Sequence, residues 1–403
     1  MSAAAKKPLV IGFVGENANG CLDSGTRHLN NILSAYGIEA HSINLFAPDW
    51  SESLRALVSD RTPHFCYGYA GVGAALRNGE NSFWSDYKTP FLSLMYDHPF
   101  CNLRNHTVDS PYVANCYFIA DFLEAQVNYV RHPHQCFLMR DTVGPLEPYD
   151  ASVTRSEHQA HWRQRSIPYL YLKTGYDLAR FETSIQALNA TQRAIFLDCL
   201  NLLQQCADYN LTHLVAEHCR AKHIEPYAGN ESFLTIVLLL ERYIRDWRSL
   251  QIVEWLKHKP ALIIGDGWDS VDKSDARATF LPSRPATECW ELYKDSRFVL
   301  NANPFFQDGC HERVLSGLIN GAVCVSDRNR FSDHMFSHLE NFVSFDWADA
   351  NWQLHLDVRL SEIEATGGDF DPGLTRQHLT AHFPTEPFVA QLLIAAQKVR
   401  AAA

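Results

Sequence analysis

The stretch Asn301–Asp327 crowds polar and charged side chains just ahead of an apolar helical pattern. Six positions hold the candidates Asp308, Gly309, His311, Glu312 and Arg313. Apolar residues three and four apart follow, which predicts a helix that begins beside Gly309 and ends at Gly321. The first N–H groups of a helix lack internal partners and lie at the positive end of its dipole. This pattern is therefore typical of a phosphate or pyrophosphate site.

Each side chain of this cluster has a chemical use and a structural alternative. Arg313 would add a charge-assisted hydrogen bond to the anion, and Asp308 or Glu312 would accept bonds from sugar or ribose hydroxyls. In the alternative, Asp308 caps the helix, Glu312 pairs with Arg313 or another neighbour, and His311 lies at the surface. The flanking strand patterns, "RFVLNANPF" with Asn303 and "GAVCVSD", favour the binding interpretation, which suits a nucleotide-sugar.

The same stretch resembles a known signature. "DGCHERVLSGLINGAVCVSDRN" is similar to the donor-binding segment of GT-B glycosyltransferases of the group-one type, whose members carry "DGxHxRVxxxxxxGAVxVTD". On the acid-x7-acid motif of retaining enzymes, Asp308 matches the first acid and Ser316 stands at the second. The resemblance implies a donor bound mainly by the C-terminal domain and an acceptor entering from the N-terminal one. It leaves retention or inversion of stereochemistry open.

Alternation of strand-length apolar runs with helical segments predicts an α/β protein of two units, and the resemblance implies that both are Rossmann-like domains. Residues 1–150 are predicted as the acceptor-side domain and residues 151–385 as the nucleotide-sugar domain. A helical insertion is predicted at about 181–256, and a final helix at 386–403. The polar stretch "GPLEPYDASVTRSEHQAHWRQRS" is predicted as a linker. Ligands are expected beyond the carboxyl ends of the strands.

Asp97 and His98 follow the strand pattern "PFLSLMY", which resembles the strand-plus-DHP segment of the same enzymes. Either side chain would deprotonate the acceptor if the enzyme inverts. The alternative is that Asp97 caps the turn and His98 hydrogen-bonds locally. Glu312 is the third residue expected to act in catalysis.

Two glycine turns complete the expected donor site. "YLYLKTGY" resembles the strand and loop that open the C-terminal domain, and its Lys173, Thr174 and Gly175 would meet the diphosphate. A solvated lysine is the plain alternative. "IIGDGW" is predicted to turn near the nucleotide base with Gly265 and Asp266, and its tryptophan either stacks on the base or packs in the core.

Composition limits the partners. A net charge of −11 argues against nucleic acid and anionic membranes, and no apolar run is long enough to span a bilayer, which leaves only peripheral membrane contact. Eleven cysteines without a CxxC pair are typical of reduced thiols in the cytoplasm. The nineteen histidines are scattered and form no HExxH motif, so no metal is expected, and no cofactor beyond the donor.

These patterns predict a glycosyltransferase that moves a sugar from a nucleotide-sugar to an acceptor hydroxyl or similar nucleophile. The acceptor class stays open among glycans, proteins and small molecules. Two alternatives also stay open: a sugar-nucleotide epimerase and a non-catalytic nucleotide-sugar-binding protein of the same fold.

Overall fold

The computed structural model describes residues 7–15, 20–59, 61–132, 135–142, 153–205, 209–303 and 305–403. The chain divides into two units, Met1–Pro145 with Phe383–Ala403, and Leu146–His382. The last helix therefore belongs to the same unit as the first strands. None of the helices in these ranges is long and apolar enough to cross a membrane.

The described residues contain fourteen strands. They are β1 (Leu9–Val14), β2 (Glu39–Asn44), β3 (Phe65–Tyr69), β4 (Arg77–Asn78), β5 (Asn81–Ser82), β6 (Phe91–Met95), β7 (Val113–Tyr117), β8 (Gln135–Leu138), β9 (Ile167–Leu172), β10 (Ala261–Ile264), β11 (Thr279–Leu281), β12 (Ser296–Asn301), β13 (Val323–Asp327) and β14 (Phe342–Phe345).

Sixteen α-helices lie between and after these strands in the same ranges. They are α1 (Cys21–Ala35), α2 (Trp50–Val58), α3 (Phe83–Tyr87), α4 (Leu103–His106), α5 (Ala120–Ala125), α6 (Arg155–Gln164), α7 (Glu182–Ala187), α8 (Ala190–Gln205), α9 (Leu211–Ala221), α10 (Glu231–Leu256), α11 (Ala286–Leu292), α12 (Glu312–Ile319), α13 (Arg330–Met335), α14 (Trp352–Thr366), α15 (Pro372–His382) and α16 (Thr385–Ala402).

The first unit is built on a six-stranded parallel sheet in the order β2-β1-β3-β6-β7-β8. All six residues of β1 are buried, as expected for a parallel strand covered on both faces. The helix α16 packs against this sheet, and its Phe388, Leu392 and Val399 share a core with Leu92 and Ala114. The predicted final helix is therefore part of the hydrophobic core of the first unit.

The second unit repeats the parallel architecture in the order β11-β10-β9-β12-β13-β14. Numbered within the unit, this order is 3-2-1-4-5-6, that of dinucleotide-binding Rossmann folds. The two sheets confirm the predicted fold class. The helices α7 to α10 all lie between β9 and β10, which confirms the predicted helical insertion.

The linker prediction is wrong for residues 155–164. These residues form α6, whose first turn has a capping box: the Thr154 side chain accepts from the Glu157 N–H, and the Glu157 carboxylate accepts from the Thr154 N–H. Trp162 is only 1% exposed and anchors the helix on the core. The polar composition reflects a helix with one buried stripe. The part of the predicted linker at 144–152 lies outside the described residues.

Candidate functional site

The carboxyl ends of β9 and β12 mark the switch point of the second sheet. These strands are neighbours, with β10 and β11 on one side and β13 and β14 on the other. The connections therefore leave toward opposite sides, and a ligand crevice opens at such a point in parallel sheets. Lys173 follows β9 directly, and Asn303 follows β12 after one residue. Two segments that the sequence analysis selected separately thus end at the same edge.

Positive charge converges on Lys173. Its side chain is half-buried, and its pKa is lowered to about 7 because burial removes water from the ammonium and because Arg313 and Arg245 lie close to it. Asp246 and Glu241 oppose this effect but do not cancel it. A lysine whose pKa is lowered by two neighbouring arginines forms part of a positive cluster that suits an anion.

The loops after β9 and β10 press against each other, and glycines make this contact feasible. A Cβ on Gly265 would lie 2.0 Å from the Lys173 carbonyl oxygen, and one on Gly175 would lie 2.3 Å from the Trp268 ring. Thr174 lies half-buried between them. Trp268 is 4% exposed and donates from Nε1 to the Lys173 carbonyl at 2.9 Å, so it packs in the core, one of the two alternatives left open.

Asp266 is exposed at the tip of this turn, where it binds the neighbouring loop. Its Oδ1 accepts from the Ser283 N–H at 3.0 Å, and these hydrogen bonds lower the pKa of the carboxyl. The Asp266 carbonyl accepts from the Gly175 N–H at 2.8 Å, which joins the two turns. Asp266 therefore fixes the shape of the turn and keeps a negative charge.

The helix α12 begins at Glu312 and not beside Gly309, because His311 is its N-cap residue. Nδ1 of His311 lies 2.5 Å from Oε2 of Glu312. Burial raises the pKa of the Glu312 carboxyl, but His311 and Arg313 outweigh it and lower the pKa to about 2. Burial and Arg313 lower the pKa of His311. Nη1 of Arg313 lies 3.5 Å from Oδ1 of Asn301 at the end of β12, and this contact holds the arginine near the switch point.

Asp308 is turned toward another partner. Its two carboxylate oxygens accept from Nε and Nη2 of Arg330, the first at 2.8 Å. The Gly309 carbonyl accepts from Nδ2 of Asn329 at 3.0 Å. The alternative in which Asp308 caps α12 is therefore wrong, because His311 occupies that position. A sugar hydroxyl would have to compete with Arg330 for Asp308.

The sequence analysis did not identify a buried ion pair behind the site. Asp327, at the end of β13, is fully buried; Oδ1 accepts from the Asn303 N–H at 2.6 Å and Oδ2 from Nε1 of Trp347 at 2.8 Å. Nη1 of Arg248 lies 3.5 Å from Oδ2. Arg248 also donates to the carbonyls of Asn303 and Leu203, each at 3.1 Å. This cluster joins α8 and α10 of the insertion to the strand ends.

A second set of charges on α10 also went unnoticed. Arg245 is 28% exposed and pairs with Glu241, and Asp246 lies 2.5 Å from Nη2 of Arg180. Burial raises the pKa of Asp246, while Arg180 opposes that rise. The available signal was the sequence "LLLERYIRDW", in which charged residues interrupt an apolar helix. The insertion thus places a cation, Arg245, near Lys173.

In the first unit, Asp97 and His98 differ in exposure. Asp97 is exposed just past the carboxyl end of β6. His98 is 2% exposed, its Nδ1 accepts from the Phe100 N–H at 3.3 Å, and its ring packs edge-on against Phe122. The local hydrogen bond considered for His98 is therefore present. Asp97 is the better placed of the two for proton transfer at a solvent-facing site.

Comparisons with known proteins agree with this geometry. Residues 245–358 match the family described as "Glycosyl transferase-like". An alpha-glucosyltransferase solved with UDP-glucose and DNA containing an abasic site is 12% identical, with a TM-score of 0.53 over 97% of this chain and 100% of that one. Sucrose-phosphate synthase from Thermosynechococcus elongatus is 11% identical, with a TM-score of 0.53 over 98% and 100%. No curated protein sequence matches the chain.

The structural matches establish the GT-B fold for this chain, since identities this low support conclusions on fold alone. The family match adds the enzyme class. The match over residues 245–358 and the GT-B fold together support a glycosyltransferase, as the sequence signature implied.

Proposed function

We propose that the switch point of the second unit binds the diphosphate of a nucleotide-sugar. The convergence of Lys173, Arg313 and Arg245 supports this proposal most strongly, because the negative charge of a diphosphate would favour the protonated form of Lys173 beside the two arginines. The first N–H groups of α12 add fixed partial positive charge to the same place. The same groups then stabilise the diphosphate when the glycosidic bond to it breaks.

The remaining candidates have roles that fit their surroundings. Glu312 is 54% exposed and ionised, so its carboxylate accepts hydrogen bonds from donor hydroxyls and His311 holds it in place. The Asn303 N–H donates to the Asp327 carboxylate, and this hydrogen bond holds the backbone at the base of the proposed site in place. The turn at Gly265 and Asp266 lies beside the nucleoside.

On the acceptor side, Asp97 takes the acceptor proton if the reaction inverts the sugar. A retaining reaction needs no such base. We propose a cytoplasmic enzyme of glycan biosynthesis whose acceptor is a glycan, a protein or a small molecule and not nucleic acid, in keeping with the net charge of −11. Because protein cations neutralise the diphosphate, we propose that transfer is independent of metal ions. Among the described residues, no group of three or more His, Cys, Asp or Glu side chains is arranged to hold a metal.

A panel of nucleotide-sugars tests the proposal directly. We expect one donor to stabilise the folded protein by about 2.7 kcal/mol when its concentration is 100 times its Kd. This stabilisation should appear as a higher melting temperature. With that donor, product should form only when an acceptor is added, at the same rate in EDTA. Conversion of the donor without acceptor would indicate an epimerase, and binding with no turnover across acceptors would indicate a binding protein. Loss of activity in EDTA would refute metal independence.

Donor binding is expected to take up a proton near pH 8. The pKa of Lys173 is about 7 in the free enzyme, so the side chain is mostly neutral at pH 8, and a bound diphosphate raises its pKa again. Affinity should therefore fall as the pH rises above 7. Calorimetry at pH 8 in buffers of different ionisation enthalpy measures the uptake. Lys173→Arg keeps a permanent charge and should abolish it. Equal uptake in that variant would assign the proton to another group.

A further inference from the structure

Three histidines meet on the surface of the second unit, on the side of the sheet opposite to the donor site. His338 lies between α13 and β14, and His378 and His382 lie on α15. The segment with His338 leads into the amino end of β14, whereas the donor residues follow the carboxyl ends of parallel strands. The histidine cluster is therefore separate from the proposed donor site.

Two of the rings bring one nitrogen each close together. Nε2 of His338 lies 3.2 Å from Nδ1 of His378, a hydrogen bond whose donor depends on the tautomer and which a metal ion bound to both nitrogens would replace. The ring centroids are 4.6 Å apart and the planes are at 70°. Zinc–imidazole bonds measure about 2.0–2.1 Å, so an ion bound to both nitrogens would subtend an angle of about 100° across this gap.

The third ring lies one helical turn away. His378 and His382 occupy positions i and i+4 of α15 in the sequence "HLTAH", a spacing that places two imidazoles on one helix face. Their centroids are 4.4 Å apart. His382 is exposed, so its side chain is able to rotate. As the side chains stand, no group of three is arranged around one ion within the described residues, and rotation of His382 would supply the third ligand.

Acidic residues share a cavity with the histidines. His338 and His378 line a surface cavity of about 300 Å³ together with Glu340 and Asp371. Oε2 of Glu340 accepts from the Asp371 N–H at 3.2 Å and lies 3.4 Å from Nη1 of Arg155, so this carboxylate already has a cationic partner.

We propose that His338 and His378 chelate a late first-row divalent metal ion, such as Zn²⁺, Ni²⁺ or Cu²⁺, with His382 as a third ligand. Imidazole favours these ions over Mg²⁺ and Ca²⁺, which take oxygen ligands. The bound ion joins the segment before β14 to α15 and so stabilises the second unit. It takes no part in glycosyl transfer, which remains insensitive to chelators.

Titration of the metal-free full-length enzyme with Zn²⁺ tests the site. We expect one ion per chain, no comparable binding of Mg²⁺, and a higher melting temperature with Zn²⁺ bound. His338→Ala and His378→Ala should each weaken binding at least about tenfold, because each removes half of the chelate. His258→Ala is the matched control: this histidine is in the same unit, is exposed, and lies 3.7 Å from Asp275, so its loss should leave Zn²⁺ binding unchanged.

The absorbance of bound Co²⁺ provides an independent readout of nitrogen ligation. Circular dichroism identifies any variant that fails to fold. His338→Ala carries the smallest risk of misfolding, because the His338 side chain is exposed. Equal Zn²⁺ affinity in wild type and the His338→Ala/His378→Ala double variant would overturn the proposal. So would an equal loss in His258→Ala, since binding would then be spread over surface histidines.

Discussion

Replacing Arg313 with alanine is expected to lower kcat/KM by about 100- to 1000-fold, the range found when one preorganised group that stabilises developing negative charge is removed. Arg313 lies in the first turn of α12 and acts on Lys173 from across the switch point. The cation stabilises the diphosphate more strongly in the transition state, where negative charge develops on it, than in the bound donor. Its loss therefore raises the barrier to transfer. Steady-state kinetics with the identified donor measure the effect, and kcat should fall together with kcat/KM.

Two variants sharpen this test. Arg313→Lys keeps the charge but loses the two-pronged geometry, so its activity should lie between those of wild type and Arg313→Ala. Arg359→Ala removes an exposed arginine that pairs with Glu362 on α14, and it should leave kcat/KM within about twofold, as for a surface ion pair. If Arg313→Ala stays within tenfold of wild type, the diphosphate is held elsewhere.

Replacing Asp327 with alanine is expected to destabilise the second unit by about 3–5 kcal/mol. The substitution leaves Arg248 buried without its carboxylate and also removes the acceptor for the Asn303 N–H and for Nε1 of Trp347. Groups deprived of partners in a dry interior cost far more than the pair contributes when intact. Urea unfolding followed by fluorescence measures the loss as a lower midpoint.

A pair of the same chemistry at the surface is the control. Nη2 of Arg328 lies 2.7 Å from Oδ2 of Asp333, but both side chains are more than a third exposed. Asp333→Ala should cost no more than about 1 kcal/mol. Equal urea midpoints for the two alanine variants would show that burial of Asp327 does not increase its contribution to stability.

Local signals explain why the sequence predicted the fold. Buried parallel strands such as β1 are continuous apolar runs, and the periodicity of 314–319 marks α12 without further information. The polar run at 155–164 favours a linker by composition, although Thr154 and Glu157 stand at the spacing of a capping box and begin a helix there. The N-cap of α12 was misplaced because an imidazole, His311, fills a position where an acid was expected.

The site itself was only partly accessible from the sequence. Parallel strands place their carboxyl ends at one edge, where the sequence predicted the ligands, but strand order decides that β9 and β12 are neighbours. The position of Arg245 near Lys173 could not be predicted from the sequence. No local pattern indicates which face of a long inserted helix packs beside a strand end that is distant in the chain. The "HLTAH" spacing was present in the sequence, whereas the ring of His338 reaches it only through the fold.

The return of the chain to its starting unit has a practical consequence. The helix α16 covers one face of the sheet that contains β6 and β7. A gene fragment that stops after residue 145 would lack this helix, and apolar residues on that face of the sheet would be exposed to solvent. Anyone who wishes to express the halves of this enzyme separately should graft the terminal eighteen-residue helix onto the N-terminal piece through a short tether. The C-terminal half, in contrast, is one uninterrupted stretch and needs no such splice.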